Sequence, residues 1–194
     1  MLDNTASAVL QMRQQLQGDA LTKASQLVRV AKRLRLFGVG HSGVTCRDAE
    51  TRFVRLGYDA QAITDTALMA PYANLIHTDD LIILISNTGT IEELIQIAVA
   101  AKAKGAAVLG ITHYRAALAK YCDVVLAVDH NENDGEHVSM ISRILQLLMV
   151  DIITVGRENA GVKNSATTAG AMSPSKSGDP RNTTLVKTRI SHLQ

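Results

Sequence analysis

The sequence predicts a three-layer α/β/α sandwich around a five-stranded parallel sheet of flavodoxin-like order 2-1-3-4-5. Three observations carry that expectation. Short aliphatic runs alternate with stretches of helical periodicity along the chain. The run Leu81-Ile82-Ile83-Leu84-Ile85 is apolar without alternation, as a strand covered on both faces must be. The connections are short, and right-handed crossovers between parallel strands then lay helices on both faces.

The elements follow in order. Ala8, Val9, Met12 and Leu16, then Leu21, Ala24, Leu27, Val28 and Ala31, recur at helical spacing, so two helices precede the first strand at 34–39. Residues 42–56 return to helix until Gly57 stops it, and 58–62 read as the second strand. The central strand at 81–85 leads to a helix over 91–104 that Gly105 ends. A fourth strand at 106–111, a short helix at 114–121 and a fifth strand at 123–128 come next. One long helix covers about 136–156, with Val138, Ile141, Ile144, Leu145, Leu148, Ile152 and Val155 as its broad apolar face. Met140, Leu147, Met149 and Ile153 fall off that face, and a helix needing cover on two sides points to a subunit interface. Residues 1–160 thus form one domain. From Gly161 the chain is rich in Ser, Thr, Gly and Lys and reads as a mobile tail over 161–194.

Composition excludes several functions. With 194 residues, 46% of them hydrophobic, the chain suits a single domain with a full core. Aromatic residues are only 3% and Trp is absent, so stacking platforms for nucleic-acid bases are not expected. The cluster Arg29, Lys32, Arg33 and Arg35 reads as a solvated helix face, and direct nucleic-acid binding by this chain alone is not expected. Two cysteines, Cys46 and Cys122, make no disulfide framework and suit a reducing compartment. No apolar stretch reaches the ~18 residues of a membrane span, and Met1-Leu2-Asp3-Asn4 lacks the regions of a signal peptide. The expectation is a cytoplasmic protein without a membrane partner.

Two loops carry the chemistry. Gly38-Val39-Gly40-His41-Ser42-Gly43 and Ser86-Asn87-Thr88-Gly89-Thr90 each follow an apolar run and open a helix, where unpaired N–H groups and the helix dipole favour an anion. In the 2-1-3-4-5 order they meet at the switch point. Three hydroxyls alternating at Ser86, Thr88 and Thr90 exceed what a structural turn requires. Thr90 is also placed to form a capping box with Glu93. The candidate ligand-binding set is Gly40, His41, Ser42, Gly43, Ser86, Asn87, Thr88, Gly89 and Thr90. No cofactor is expected: Gly38, Gly40 and Gly43 have dinucleotide spacing, but Ser42 suits a donor role and only Asp59 is available as the ribose acid. No Gly-Lys-Ser/Thr of a Walker loop follows, and the histidines lack paired metal spacing, so no metal is expected.

These residues carry a resemblance. The segments 38–43, 85–89 (Ile-Ser-Asn-Thr-Gly) and 105–112 (Gly-Ala-Ala-Val-Leu-Gly-Ile-Thr) resemble the SIS (sugar isomerase) domain over roughly residues 20–157. Val138-Ser139-Met140-Ile141-Ser142-Arg143-Ile144-Leu145-Gln146-Leu147, followed by Val150-Asp151, is similar to the last helix of RpiR/HexR-type transcriptional regulators, whose SIS domain senses a sugar phosphate. The resemblance implies that Ser42, Ser86 and Thr88 bind the phosphate or sugar hydroxyls. It also implies a homodimer or higher oligomer in which His41 or Glu50 of a second copy reaches the sugar. Two departures stand out. Ile91 occupies a position where the family usually has Ser or Thr, and no helix-turn-helix precedes the domain.

Two functions from different classes therefore remain open at the level of sequence. One is the effector-sensing domain of an RpiR/HexR-like regulator, binding a phosphorylated sugar or sugar acid. The other is a freestanding aldose–ketose isomerase working through an enediol, for which adjacent Glu136 and His137 are the candidate catalytic pair, with Glu92 and His41 next. Ile91 also leaves room for a vestigial site in an interaction protein.

Overall fold

Five parallel strands, β1 (Arg33–Phe37), β2 (Asp59–Ile63), β3 (Asp80–Ser86), β4 (Ala107–Thr112) and β5 (Val124–Ala127), form one sheet of order β2-β1-β3-β4-β5, as the sequence predicts. A computed structural model of the chain describes residues 2–16, 19–128 and 138–168. Every residue of β3 is buried, which explains its unbroken apolar run: its neighbours β1 and β4 occupy both edges, and helices cover both faces.

Side-chain alternation divides the core in two. On one face Leu34, Leu36, Leu81, Ile83 and Ile85 pack against α1 (Leu2–Gln15), α2 (Asp19–Val30), α3 (Gly40–Arg55) and α6 (Val138–Thr168). On the other, Phe37, Ile82 and Leu84 pack against α4 (Thr66–Ala73), α5 (Glu92–Ala103) and a 3₁₀ turn at Leu118–Tyr121. Each fully buried aliphatic side chain contributes about 1.5–3 kcal/mol. At the N-terminal edge of the sheet the buried Asp80 carboxylate accepts from Arg33 Nε at 2.6 Å and from the His77 N–H at 2.8 Å, which joins β1 to β3.

The structure departs from the sequence reading in four places. Helix α4 has no counterpart there; Asp65 caps it, its carboxylate accepting the Ala67 N–H at 2.9 Å, and Pro71 lies inside it. The short helix expected over 114–121 contracts to the 3₁₀ turn. Helix α6 continues to Thr168, past the point where the tail was placed. Its apolar face is also rotated: Ile141, Leu145, Met149, Val150 and Ile153 are buried, whereas Met140, Ile144 and Val155 are exposed. The rotation follows from what α6 must cover, since it packs on α3 and on the first two helices while turning Ser142 and Gln146 inward. Among the described residues no helix is long and apolar enough to cross a membrane.

Candidate functional site

Strands β1 and β3 are neighbours, and the helices that follow them, α3 and α5, lie on opposite faces of the sheet. The loops leaving the two strands therefore open beside each other at the C-terminal edge, where such sheets bind ligands.

The first loop delivers the N-terminus of α3. Val39 is its N-cap and offers no side-chain cap, so the first-turn N–H groups remain for a ligand. Ser42 is buried in that turn, and Thr45 lies fully buried one turn along. The second loop is braced from within. Ser86 Oγ accepts the Gly89 N–H at 3.0 Å, and Thr90 Oγ1 donates to Thr88 Oγ1 at 3.1 Å. The capping box expected from Thr90 and Glu93 does not form, because Ile91 is the N-cap of α5 and no side chain caps that helix. Gly89 makes this loop possible: its φ is +59°, and a Cβ there would lie 2.4 Å from Ala116 Cβ.

Helix α6 closes the third side. Val39, His41, Ser42, Ser86, Asn87, Thr88 and Ile91 share one cleft of about 170 Å3 with Ser142, Arg143 and Gln146. Gln146 is buried, and its Nε2 donates to Ser42 Oγ at 3.1 Å while its Oε1 accepts from Thr45 Oγ1 at 3.3 Å. Ser142 Oγ and Arg143 Nε are buried, with no hydrogen-bond partner among the described residues. Two buried donors without acceptors in a polar cleft are the chemistry of a site that receives an oxyanion.

Of the residues singled out from sequence, His41, Ser42, Ser86, Asn87 and Thr88 are brought together in this cleft. Gly40, Gly43, Gly89 and Thr90 shape the two loops but are not among its lining residues. Glu92 is exposed in the first turn of α5 and accepts from Gln96, away from the cleft. Glu50 is half-buried on α3 and does not line it. Glu136 and His137 lie outside the described residues. Sequence reasoning missed Ser142, Arg143 and Gln146 as site residues. Their signal was the polar pair Ser142 and Gln146, four residues apart on one side of a helix whose neighbouring positions Ile141, Leu145 and Met149 are apolar. Among the described residues no group of three or more His, Cys, Asp or Glu is placed to hold a metal ion.

Comparison with known proteins fits this geometry. The family model of the SIS domain matches residues 27–156. The chain is 35% identical over 192 residues to a protein named Bifunctional protein glk from Paraburkholderia xenovorans, a match that takes in 99% of this chain and 30% of that protein. It is 30% identical over 156 residues to the HTH-type transcriptional regulator HexR of Pseudomonas aeruginosa, covering 80% of this chain and 55% of the regulator. The chain thus spans less than two thirds of the length of these relatives. Among solved structures it is similar to the Vibrio vulnificus NanR protein complexed with ManNAc-6P, with a TM-score of 0.75 and 21% identity over 87% of this chain and 67% of that one. It is also similar to a Methanococcus jannaschii protein for which a 3-hexulose-6-phosphate isomerase function was inferred, with a TM-score of 0.69 and 20% identity over 89% of this chain and 97% of that one. At these identities the structural likeness speaks for the fold.

Proposed function

The chain belongs to the SIS domain family, and from that premise we propose that it binds a phosphorylated sugar or sugar acid as the effector-sensing domain of an RpiR/HexR-like transcriptional regulator. One observation carries the reading. The hydroxyls of Ser42, Ser86 and Thr88, the amides of Asn87 and Gln146 and the guanidinium of Arg143 converge on a single cleft at the uncapped start of α3. The relationship to HexR supports the regulatory role. Ligand occupancy then signals by favouring one quaternary arrangement over another, which requires different affinities for the ligand in the two. The exposed apolar stripe of Met140, Ile144 and Val155 on α6 supports self-association as part of this proposal.

A second reading is an aldose–ketose isomerase, which His41 in the cleft supports as a group able to open the sugar ring. The enediol step also needs a base to move a proton between adjacent carbons. Among the described lining residues none is a carboxylate, so that reading draws its base from Glu136 or from a second copy.

Thermal-shift titration with hexose 6-phosphates, pentose 5-phosphates and phosphorylated keto acids, with NMR of each stabilising compound, tests both. Stabilisation without interconversion supports the sensor, and interconversion supports the isomerase. Ser86→Ala combined with Thr88→Ala is expected to remove the ligand-induced shift while the unliganded protein stays folded. An unchanged shift in that double variant refutes the site.

A further inference from the structure

We infer that Gln146 is a positioning residue that, held from behind by Thr45, turns the Ser42 hydroxyl into a fixed proton donor facing the cleft. The inference rests on the reading that the cleft takes a phosphorylated ligand.

Three side chains from two helices form a buried relay. Thr45 is 0% exposed, Gln146 2% and Ser42 7%. Thr45 Oγ1 donates to Gln146 Oε1 at 3.3 Å, and Gln146 Nε2 donates to Ser42 Oγ at 3.1 Å. A serine hydroxyl has one proton to give and two lone pairs to receive with. With a lone pair of Ser42 already engaged by the amide, its proton is left for another acceptor, and the structure describes no protein group that takes it. Ser42 lines the cleft, so an acceptor-only oxyanion completes the chain.

The direction of the relay decides its use. With the Gln146 amide turned over, Oε1 would face Ser42 and consume the proton that the ligand needs. Thr45 can accept from a turned-over amide as well, but its proton must then go to the more distant His41 carbonyl, so the shorter bond to Oε1 at 3.3 Å favours the orientation seen. The backbone carbonyl of His41 competes for that proton at the longer distance of 3.5 Å. Thr45 does not line the cleft, so its effect on binding passes through Gln146. The same relay ties α6 to the first turn of α3, and the Arg52–Asp151 ion pair ties the two helices again further along. Ligand bound at Ser42 therefore pulls on the α3–α6 contact and not on a lone loop.

The experiment compares Thr45→Val, Thr45→Ser and Gln146→Glu with the unaltered chain. Dissociation constants for inorganic phosphate and for glucose 6-phosphate are measured by calorimetry or NMR titration. Valine matches threonine in shape and removes only the hydroxyl, so both constants are expected to rise about tenfold, the value of one net hydrogen bond. Serine keeps the hydroxyl and is expected to stay within about twofold of the unaltered chain. Gln146→Glu supplies the readout that a merely structural role would not move. An ionised carboxylate there accepts the Ser42 proton and weakens binding, whereas a neutral carboxyl group again accepts from Thr45 and donates to Ser42. The affinity of this variant relative to the unaltered chain is therefore expected to recover as pH falls from 8 to about 5.5, since burial raises a carboxyl pKa. The titratable groups lining the cleft with position 146 are His41 and Arg143, present in both proteins. The phosphate probes titrate in the same range and are repelled by an ionised carboxylate, so the ratio is also measured with Ser42→Ala in both backgrounds, where repulsion persists and the relay does not. A pH dependence that survives there undiminished overturns the inference. Wild-type-like binding by Thr45→Val, an equal loss in Thr45→Ser, or a pH-independent ratio for Gln146→Glu overturns the inference. An unaltered chain that takes neither probe overturns the proposed function itself, and the relay inference with it.

Discussion

Gly89 and Gly40 allow the physics of the second loop to be tested apart from its chemistry. Both have left-handed backbone, with φ of +59° and +56°, so alanine at either site carries the same strain of roughly 1–2 kcal/mol, offset in part by a stiffer unfolded chain. The surroundings differ. A Cβ on Gly40 meets nothing within 4 Å, whereas one on Gly89 meets Ala116 Cβ at 2.4 Å and Thr112 Oγ1 at 2.6 Å. Neither neighbour is the free end of a flexible chain, so the loop or the segment bearing Ala116 must move, at an overpacking cost of about 1–3 kcal/mol. That difference is what separates Gly89→Ala from Gly40→Ala, because the backbone contribution cancels. For a chain of this size each kcal/mol shifts Tm by about 2–4 °C, so Gly89→Ala is expected to melt about 2–12 °C below Gly40→Ala. Circular dichroism melts with urea titrations at one temperature measure it. The Gly89 N–H is also the donor that holds Ser86 Oγ, so phosphate-ester affinity should fall in the same variant. Equal melting points for the two variants refute the packing argument, because it predicts a penalty at Gly89 that the open surroundings of Gly40 do not impose.

Other expectations follow from single groups. Arg143→Gln removes a half-buried guanidinium whose buried Nε has no described acceptor, so phosphosugar binding should weaken by about 10–150-fold, while the unliganded protein should keep or slightly raise its Tm. Asp59, hydrogen-bonded by Arg35 at 2.9 Å, is held below the usual carboxylate range, first by that bond and then by the charges of Arg35 and Arg33. A depressed folded pKa gives stability that is present above the unfolded value and lost as pH falls through the folded one. The stability gap between the protein and Asp59→Asn should thus begin to shrink at about pH 4 and close only below the depressed folded value, and with Asp59 itself exposed it stays under about 1 kcal/mol at pH 7. Burial raises both thiols, that of Cys46 well above the usual range and that of Cys122 up to about 12, with Asp123 adding to the latter. Neither should react with Ellman's reagent at pH 8 until the protein is unfolded, and fast labelling of the native protein would contradict the packing around them.

How much of this was legible in the chain depended on whether a feature is local. Leu81 to Ile85 announces a doubly covered strand because burial on both faces leaves no place for a polar residue, and Gly57 and Gly105 mark helix ends because only glycine adopts positive φ cheaply. The two site loops are legible for the same reason, as their glycines and hydroxyls interrupt apolar runs at strand ends. Helix α4 was not: its interior Pro71 masks it, and Asp65 as N-cap was the one local sign.

The missed half of the site turns on the rotation of a helix, which no local rule fixes. Met149 and Ile153 are as apolar as Ile144 and Val155, so composition leaves the rotation of α6 undetermined by roughly one residue's angular step of about 100°. The polar residues settle it. Burying Gln146 without partners would cost about 1–3 kcal/mol, so the helix must present it where a donor and an acceptor wait, and the start of α3 is such a place. Once Gln146 is bonded to Ser42 and Thr45, Met149, Val150 and Ile153 fall into the core, and Met140, Ile144 and Val155 are left outside. The phase that builds the cleft is therefore the phase that exposes the apolar stripe. If the proposed function holds, a ligand at Ser42, Arg143 and Gln146 and a second copy at Met140 and Ile144 would act on different sides of the same helix, which is the physical connection that a sensing role requires.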